Sequence, residues 1–433
     1  MTTHEKARIE LSSDSVMQDE VIEIAVIGLD PWARVTLRLT TVIDGIDLVS
    51  AADYHADAKG RVEVAAQAPV TGSYQGTDVM GLFWSMTPET LGMGPMAGAT
   101  RDPWETQPPQ QYVLTALLGD EEITSVSLQR IIVPEGVSVQ RLNEGRLRGV
   151  LFLPAGDGPF PALLGVTGSG GGYYPSEGAA ALASRGFAVL GMAYFNAPDL
   201  PEQLVNIPLE YFEESLEWLA AVPEVDGDRI GVIGGSRGGE LALVLGSRFP
   251  QLRVVVSKVP SHVVWPGCCT EEAFEKPSWT WGGEPLTAMP IPRITDRAGQ
   301  YWPAVRDEWL GFYWIGLGNT EAEAAATIPV EKINGPVLLI TGGDDRCWPG
   351  TYMADLVMER LEAHNFPHTH VHLSYDDSGH AAGSLPYWPT ARMVNPIHPL
   401  NQEPIALGGT AESLARSSED SYQRTLEFLG KYL

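Results

Sequence analysis

The chain has 433 residues, more than the roughly 250 to 300 at which a single hydrophobic core usually stops growing, so its length predicts two domains. Hydrophobic residues make up 44% and charged residues 19%, which is typical of a globular protein and excludes a fibrous or mainly disordered chain. The formal net charge of −27 argues against DNA and RNA as partners, because Lys and Arg must neutralise the phosphates that such proteins bind.

The N-terminal segment and the cysteines bear on localisation. Residues 1–11 lack the apolar core of a secretory signal, and no run approaches the ~18 apolar residues of a membrane span. The three cysteines are an odd number in a long chain, unlike the disulfide framework of a small secreted protein. We therefore expect a cytoplasmic protein with no membrane partner, in which the adjacent Cys268 and Cys269 are buried or unused thiols.

Residues 9–132 show short alternating segments. Apolar Val35 and Leu37 face one way and Arg34 and Thr36 the other, which is the period of a half-buried strand. Breaks rich in Gly, Pro and Asp separate further candidates, and no amphipathic helix is evident. The pattern predicts an all-β N-terminal domain, a sandwich of about seven strands.

After residue 134 apolar strands alternate with helices. The predicted helices cover 178–185 and 209–221, and the predicted strands cover 162–166, 187–194, 229–235, 253–258, 335–341 and 370–375. This alternation is typical of a mostly parallel sheet with helices on both faces. We place the domain boundary near residue 134, which gives a β-sandwich at 1–134 and an α/β domain at 135–433.

A candidate nucleophile lies between the strand 229–235 and a helical run. Residues 234–238 read Gly-Gly-Ser-Arg-Gly, which is the G-x-S-x-G form of a nucleophile elbow in its expected strand, turn and helix context. The glycines are needed because side chains would clash in so tight a turn. The alternative is a Gly-rich turn without catalysis. We favour Ser236 as the nucleophile of an α/β-hydrolase.

A serine hydroxyl needs a base, and the base needs an orienting carboxylate. Asp345 follows the strand 335–341 and fits G-x-x-D-x-x-x-P, although its neighbour Asp344 is the alternative acid. His380 follows the strand 370–375 and is the candidate general base. The chain order Ser236, Asp345, His380 is that of α/β-hydrolases.

The other histidines give weaker signals. His368, His370 and His372 would share one face of a strand and could in principle bind zinc, but a solvated strand face explains their spacing equally and no cysteine or carboxylate completes the set. His262 and His398, like His364, belong to no motif and are interpreted as structural or exposed. We predict neither a metal nor a cofactor.

The attacked carbonyl needs an oxyanion hole of backbone N–H donors. One donor should be the amide of Arg237, which follows the nucleophile, and the others should come from the Gly-rich loop after the first long strand, where we select Ser169 and Gly170. A phosphate-binding loop is the competing interpretation of this loop. The chain lacks G-x-x-x-x-G-K-[ST], and it lacks a convincing dinucleotide fingerprint.

Several longer stretches resemble one family, the acyl-CoA thioesterases and bile acid-CoA:amino acid N-acyltransferases. The more specific ones are AYFN, LPE, LEYFEE and IPVEKI in that order, within family-like stretches at 146–164, 185–202, 207–219, 230–243, 328–349 and 378–389. The stretch 81–89 resembles the immunoglobulin-like N-terminal domain of the family. The resemblance implies the same Ser236, Asp345 and His380 triad.

Two departures from the family pattern refine this expectation. The transferase branch resembles a Cys-His-Asp enzyme, whereas Ser236 is a serine, which favours hydrolysis over transfer to an amine. The peroxisomal S-K-L type of signal is missing, which fits a cytoplasmic protein.

Residues 260–328, here called the Trp-rich segment, interrupt the predicted core strands. Either these residues pack between a cap and the domain, or they line an acyl-chain pocket, and both interpretations stay open. Arg185, Arg237 and Arg346 are candidate phosphate or carboxylate contacts. The six tryptophans of the segment are Trp265, Trp279, Trp281, Trp302, Trp309 and Trp314.

The combined hypothesis is an acyl-CoA thioesterase that works through an acyl-enzyme on Ser236. The alternatives are an acyltransferase or hydrolase acting on carrier-bound acyl groups or ordinary esters, and a non-catalytic binding module. Acyl chain length and oligomeric state are open at this stage.

Overall fold

The computed structural model describes residues 7–88, 108–270, 272–291, 294–295, 301–302, 309–393, 396–398 and 405–433. The predicted acyl-pocket tryptophans Trp302 and Trp309 have side chains outside this description. Among the described residues, no helix combines the length and apolar character that a membrane crossing requires.

The N-terminal domain is an immunoglobulin-like β-sandwich. One sheet has the order β1-β3-β6, and the other has the order β2-β10-β9-β4-β5-β7 with β8 beside β5. Its elements are β1 (Arg8–Leu11), β2 (Ser15–Met17), β3 (Ile24–Ile27), β4 (Arg34–Ile43), β5 (Ile46–His55), β6 (Val62–Glu63), β7 (Thr71–Gly72), α1 (Gly81–Trp84), β8 (Thr87–Pro88), β9 (Gln110–Leu118) and β10 (Glu121–Ile131).

The central hairpin shows why this half folds as predicted. Apolar side chains of β4 are buried at every second position, as at Val35 and Leu37. The turn to β5 uses Asp44 and Gly45, both with positive φ, which matches the twist of two-residue hairpins. The prediction of about seven strands was too low, since the residues described between 7 and 131 form ten strands. The extra strands are only two to four residues long, too short for a clear period-two signal.

The second domain is an α/β-hydrolase fold around one sheet with the order β11-β12-β14-β13-β16-β17-β22-β23. The pairs from β14 to β23 are parallel, whereas β11–β12 and β12–β14 are antiparallel. The strands are β11 (Ser138–Glu144), β12 (Leu147–Leu153), β13 (Phe160–Val166), β14 (Ala188–Ala193), β15 (Ile207–Pro208), β16 (Val225–Gly235), β17 (Leu252–Lys258), β18 (Trp279–Trp281), β19 (Glu284–Pro285), β20 (Ile294–Thr295), β21 (Tyr301–Trp302), β22 (Val337–Gly342) and β23 (His370–Tyr375).

Seven helices of this domain fall within the described residues. The predicted helices 178–185 and 209–221 correspond to the first two, with ends shifted by one or two residues. The helices are α2 (Ser176–Ala183), α3 (Glu210–Ala220), α4 (Arg237–Arg248), α5 (Trp309–Leu317), α6 (Thr320–Ala326), α7 (Gly350–Ala363) and α8 (Ala411–Tyr432).

The predicted boundary at residue 134 lies between the end of β10 and the start of β11. The strands β11 and β12 were not individually predicted. On the other side of the sheet, β16, β17, β22 and β23 are parallel neighbours, so their carboxyl ends lie along one edge. Open α/β sheets bind ligands at that edge, and the loops that carry the candidate residues begin there.

Candidate active site

Ser236 lies in a strained turn between β16 and α4. Its φ is 58°, a left-handed conformation that few side-chain-bearing residues adopt. A Cβ at Gly234 would lie 2.2 Å from the Gly238 carbonyl oxygen, and one at Gly238 would lie 2.4 Å from the Thr167 carbonyl oxygen. Only glycine fits at both positions. The turn therefore has the form of a nucleophile elbow.

The structure brings the three predicted triad residues into contact. His380 Nε2 lies 2.9 Å from Ser236 Oγ, and His380 Nδ1 lies 2.7 Å from Asp345 Oδ2. The other carboxylate oxygen of Asp345 accepts hydrogen bonds from the amides of Cys347 and Trp348, at 2.8 and 3.1 Å. Asp345 is buried and its side chain is fixed at both oxygens.

The neighbouring Asp344 points to other partners. Its Oδ1 accepts from Arg346 Nε at 2.7 Å, and its Oδ2 accepts from the Gly409 amide at 3.0 Å. Its carboxylate thus contacts groups outside the triad. The geometry assigns the contact with His380 to Asp345 alone.

The surroundings of His380 change the pKa of its imidazole. Burial opposes the charged form, but the Asp345 carboxylate and the Cys347 thiol outweigh burial and raise the pKa of His380 well above its ordinary value. The imidazole is thus a stronger base than a solvated histidine. It can accept a proton from Ser236 Oγ along the existing hydrogen bond.

The Gly-rich loop after β13 passes directly beside the nucleophile. A Cβ at Gly168 would lie 3.3 Å from Ser236 Cβ. The next residue, Ser169, has its Oγ 3.0 Å from His398 Nε2, and the Gly170 carbonyl accepts a hydrogen bond from Asn196 Nδ2 at 2.8 Å. The predicted donor residues Ser169 and Gly170 therefore lie on the loop that borders Ser236. The third predicted donor, Arg237, directly follows Ser236 in sequence and is the first residue of α4.

The arginines that we considered as phosphate contacts have other partners. Arg237 is 2% exposed, lies 2.9 Å from Glu240, and donates to the Trp265 and Pro266 carbonyls. Burial raises the pKa of Glu240 to about 7, despite this neighbouring guanidinium. Arg185 pairs with Asp19 at 2.8 Å, and Arg346 pairs with Asp344. The suggestion of a phosphate contact is wrong for the buried Arg237.

Part of the Trp-rich segment packs against the site. Trp265 and Trp279 are fully buried, and both reach Glu240: the Trp265 amide lies 3.3 Å from one carboxylate oxygen and Trp279 Nε1 donates to the other at 2.8 Å. Trp314 is 44% exposed, so this tryptophan does not line the interior. The packing interpretation fits Trp265 and Trp279.

An aromatic chain leads from this segment to His380. Ring centroids are 4.7 Å apart for Trp265 and Tyr313, 5.6 Å for Tyr313 and Trp348, and 5.7 Å for Trp348 and His380. All three pairs meet edge to face, which is a favourable arrangement for aromatic rings. The imidazole of His380 is thus supported on one side by Trp348.

Three residues near the site were missed as functional candidates. Trp348 lies in the motif that identified Asp345 but was not considered separately. Lys258 ends β17 beside the elbow strand, and its Nζ donates to the Gly383 carbonyl at 2.5 Å. Burial lowers the pKa of Lys258 to about 8, and that of His398 to about 4. A lysine at the end of an apolar strand next to the elbow was the available signal, whereas nothing near His398 in the sequence indicated its position.

The histidines considered for zinc have other neighbours. His372 lies 3.1 Å from Asp355 and 2.7 Å from the Thr341 hydroxyl, and His368 and His370 pack against Phe366. In the part of the chain that the structure describes, no set of three or more His, Cys, Asp or Glu side chains could hold a metal ion.

Cys268 and Cys269 differ from expectation. They are joined by a disulfide bond rather than being free thiols, and Cys269 Sγ lies 3.8 Å from His398 Nε2. The odd cysteine count argued only against a disulfide framework and could not reveal one local bond between neighbours.

Comparison with known proteins places these features in one family. A family model described as BAAT / Acyl-CoA thioester hydrolase C terminal matches residues 207–433, and one described as Acyl-CoA thioester hydrolase/BAAT N-terminal region matches residues 19–144. The solved structure of the acylaminoacyl peptidase of Pyrococcus horikoshii is a more distant likeness, with a TM-score of 0.45 and 14% identity over 96% of this chain and 67% of that one.

Two curated relatives match along nearly the whole length. Acyl-coenzyme A thioesterase 1 of Homo sapiens is 30% identical over 424 residues, which covers 96% of this chain and 94% of the relative. Peroxisomal succinyl-coenzyme A thioesterase of Mus musculus is 31% identical over 434 residues, with the same coverage. The chain belongs to the acyl-CoA thioester hydrolase/BAAT family.

Proposed function

We propose that the protein is an acyl-CoA thioesterase that hydrolyses its substrate to a free acid and CoA through an acyl-enzyme on Ser236. The observation that carries this proposal is the contact of Ser236 with His380, and of His380 with Asp345, in a member of a thioester hydrolase family. Ser236, His380 and Asp345 act as nucleophile, general base and orienting acid.

In the first half-reaction His380 Nε2 takes the proton of Ser236 Oγ while the oxygen attacks the thioester carbonyl. Asp345 stabilises the imidazolium that forms, without taking its proton. The amides of Arg237, Ser169 and Gly170 stabilise the developing oxyanion. As the C–S bond breaks, His380 returns the proton to sulfur, and CoA leaves as a thiol.

In the second half-reaction water attacks the acyl ester of Ser236. His380 removes a proton from the water and then gives it to Ser236 Oγ, which releases the free acid and restores the enzyme. An amine acceptor in place of water would make the enzyme a transferase. The oxygen ester on Ser236 favours water.

A second substrate class follows from the charges around the site. CoA carries several phosphates, yet the chain has a net charge of −27 and Arg185, Arg237 and Arg346 are paired with carboxylates. An ordinary carboxylic ester carries no phosphate, and an acyl group on a carrier-protein arm carries fewer phosphates than CoA, so both depend less on free cationic side chains. An acyltransferase or hydrolase for such substrates is therefore the alternative.

A substrate panel separates these functions. We would measure free-thiol release from acyl-CoAs of graded chain length, and product release from carrier-bound acyl groups and simple esters. We expect the highest kcat/KM for one range of acyl-CoAs. Activity restricted to the simple esters would contradict the thioesterase proposal.

Localisation in the cytoplasm stays a prediction. Among the relatives, one is named peroxisomal and another, acyl-coenzyme A thioesterase 2 of Homo sapiens, is named mitochondrial. Expression of the full chain with a fluorescent tag would test this.

A further inference from the structure

The residues from 380 to 390, here called the His380 loop, connect the catalytic histidine to the β-sandwich. The loop begins inside the catalytic domain, where the His380 amide donates to the Leu407 carbonyl at 2.7 Å and the Gly383 carbonyl accepts from Lys258 Nζ at 2.5 Å. The loop contains no strand, and helical structure begins only at Thr390. Turn hydrogen bonds from the Ser384 amide and hydroxyl to the Ala381 carbonyl shape its first half, and beyond residue 384 the loop contacts other parts of the molecule.

The far end of the loop is held by the N-terminal domain. Tyr387 is 8% exposed and packs within the hydrophobic core of the sandwich, although it belongs to the hydrolase half of the chain. Gln18 Nε2 donates to the Tyr387 carbonyl at 3.4 Å, and the Arg130 guanidinium lies 5.8 Å from the centre of the Tyr387 ring. Tyr387 thus contacts the sandwich through its ring and its backbone.

Arg130 is part of this support. Its side chain is fully buried, donates to the carbonyls of Met17, Gln18 and Glu20, and lies 5.1 Å from the ring centre of Phe83. Nη2 makes all three of these hydrogen bonds, whereas Nε and Nη1 are buried and meet no hydrogen-bond partner among the described residues, so the cost of burying the guanidinium is only partly offset. The sandwich therefore places a cation, held at Nη2, against the Tyr387 ring.

Thr390 provides a second attachment. Its hydroxyl lies 3.3 Å from the Trp84 carbonyl of the sandwich and 2.6 Å from the Ala411 carbonyl at the start of α8. The Tyr387 hydroxyl donates to Glu419 of α8 at 3.0 Å. The loop, the sandwich and α8 therefore meet at Tyr387 and Thr390.

We propose that the β-sandwich positions His380 for the reaction, by holding the His380 loop at Tyr387 and Thr390. The proposal rests on the triad put forward above. His380 must keep its contacts with Ser236 and Asp345 at the same time, and a displacement of about 1 Å can cost 100-fold in rate. Tyr387 and Thr390 are positioning residues, since neither contacts the reacting atoms.

The test removes the ring of Tyr387 and compares two variants of the full chain. Tyr387→Ala empties the site between Arg130 and the sandwich core, whereas Tyr387→Phe keeps the ring and loses only the bond to Glu419. We expect kcat to fall about 10- to 100-fold in Tyr387→Ala with a smaller change in KM, and most of the activity to be retained in Tyr387→Phe. Val42→Thr, on the exposed side of β4, is the control for a change in the sandwich itself.

A second readout is independent of the acyl-CoA substrate. A fluorophosphonate labels Ser236 at a rate that depends on the contact with His380 and needs no thioester. In Tyr387→Ala the labelling rate should fall as kcat does, and its rise with pH should move to lower pH, because a displaced His380 loses the Asp345 contact that raises its pKa.

The outcomes separate this proposal from the proposed function. If the wild-type protein is labelled but has no thioesterase activity, the proposed acyl-CoA substrate is contradicted and the labelling test stays valid. If the wild-type protein is not labelled, both proposals are overturned. If Tyr387→Ala folds and its labelling rate and kcat equal those of the wild type, the proposed role of the sandwich is overturned. If this variant does not fold, Thr390→Val replaces it, with an expected loss of kcat of about threefold to tenfold, and an unchanged kcat again overturns the proposal.

Discussion

The nucleophile elbow and the Trp-rich segment meet at the first turn of α4, but different interactions hold them. The elbow depends on neighbours in sequence, since Gly234 and Gly238 leave room for the turn around Ser236. The Trp-rich segment depends on partners distant in sequence, since Glu240 binds Trp265 and Trp279. A local motif can therefore identify the turn around Ser236, while the packing of the Trp-rich segment against α4 depends on long-range contacts.

The largest expected effect is at the elbow itself. Ser236→Ala or His380→Ala should lower kcat by on the order of 10⁴-fold or more, because each removes a member of the proton-transfer unit. Thermal unfolding should be nearly unchanged. Ser247→Ala, at the other end of the same helix, is the matched control and should keep wild-type turnover. A loss of only a few-fold in Ser236→Ala would refute the triad.

The pH dependence of activity tests the contact between His380 and Asp345, which belongs to the elbow side of the comparison. His380 must be neutral to accept a proton, so activity should rise with pH through its raised pKa and fall about tenfold per unit below it. The midpoint of the kcat/KM profile should therefore lie above pH 6.5, the usual value for histidine. A midpoint at or below that value would show that Asp345 does not raise the pKa of His380.

Substitutions that disturb the anchoring of the Trp-rich segment should lower the stability of the protein rather than its turnover. Glu240→Ala leaves the buried guanidinium of Arg237 without its carboxylate, which should lower the free energy of unfolding by about 3 to 5 kcal/mol at pH 8. Glu214→Ala breaks an exposed pair with Arg146 and should cost less than about 1 kcal/mol. Equal melting temperatures for the two variants would contradict the role of Glu240 as an anchor.

The smallest expected effect is that of replacing Lys258, which should lower kcat without lowering stability. Lys258→Met removes the bond to Gly383 in the His380 loop, so kcat should fall about threefold to tenfold. Burial lowers the pKa of Lys258 to about 8, so burying the ammonium opposes folding below that pH. The variant should thus be at least as stable as the wild type near pH 7, and denaturant unfolding can measure this. A clear loss of stability would show that Lys258 contributes mainly to folding.

The sequence predicted which residues meet at the candidate site better than it predicted their surroundings. Gly234, Ser236 and Gly238 act through a local turn, so their spacing was enough to indicate an elbow. Asp345 and His380 follow apolar strands whose parallel pairing places their ends at one edge of the sheet. The change from period-two segments to alternating strands and helices likewise predicted an all-β region followed by an α/β fold.

The features that were missed depend on contacts between distant segments. Arg237, a candidate phosphate contact, forms a buried ion pair with Glu240. Tyr387 packs in the core of the other domain. Neither arrangement has a local pattern. The short strands of the sandwich were missed because two to four residues carry too little periodicity. The bond between Cys268 and Cys269 was missed because a cysteine count does not show which thiols are joined.

Trapping the acyl-enzyme tests the central claim most directly. The wild-type protein would be mixed with an acyl-CoA that it turns over, quenched with acid within the first turnover, and digested for mass spectrometry. We expect the acyl mass on the peptide that contains Ser236, together with one equivalent of free thiol, and neither in Ser236→Ala. Continued thiol release by Ser236→Ala, or an acyl group on another residue, would contradict the account.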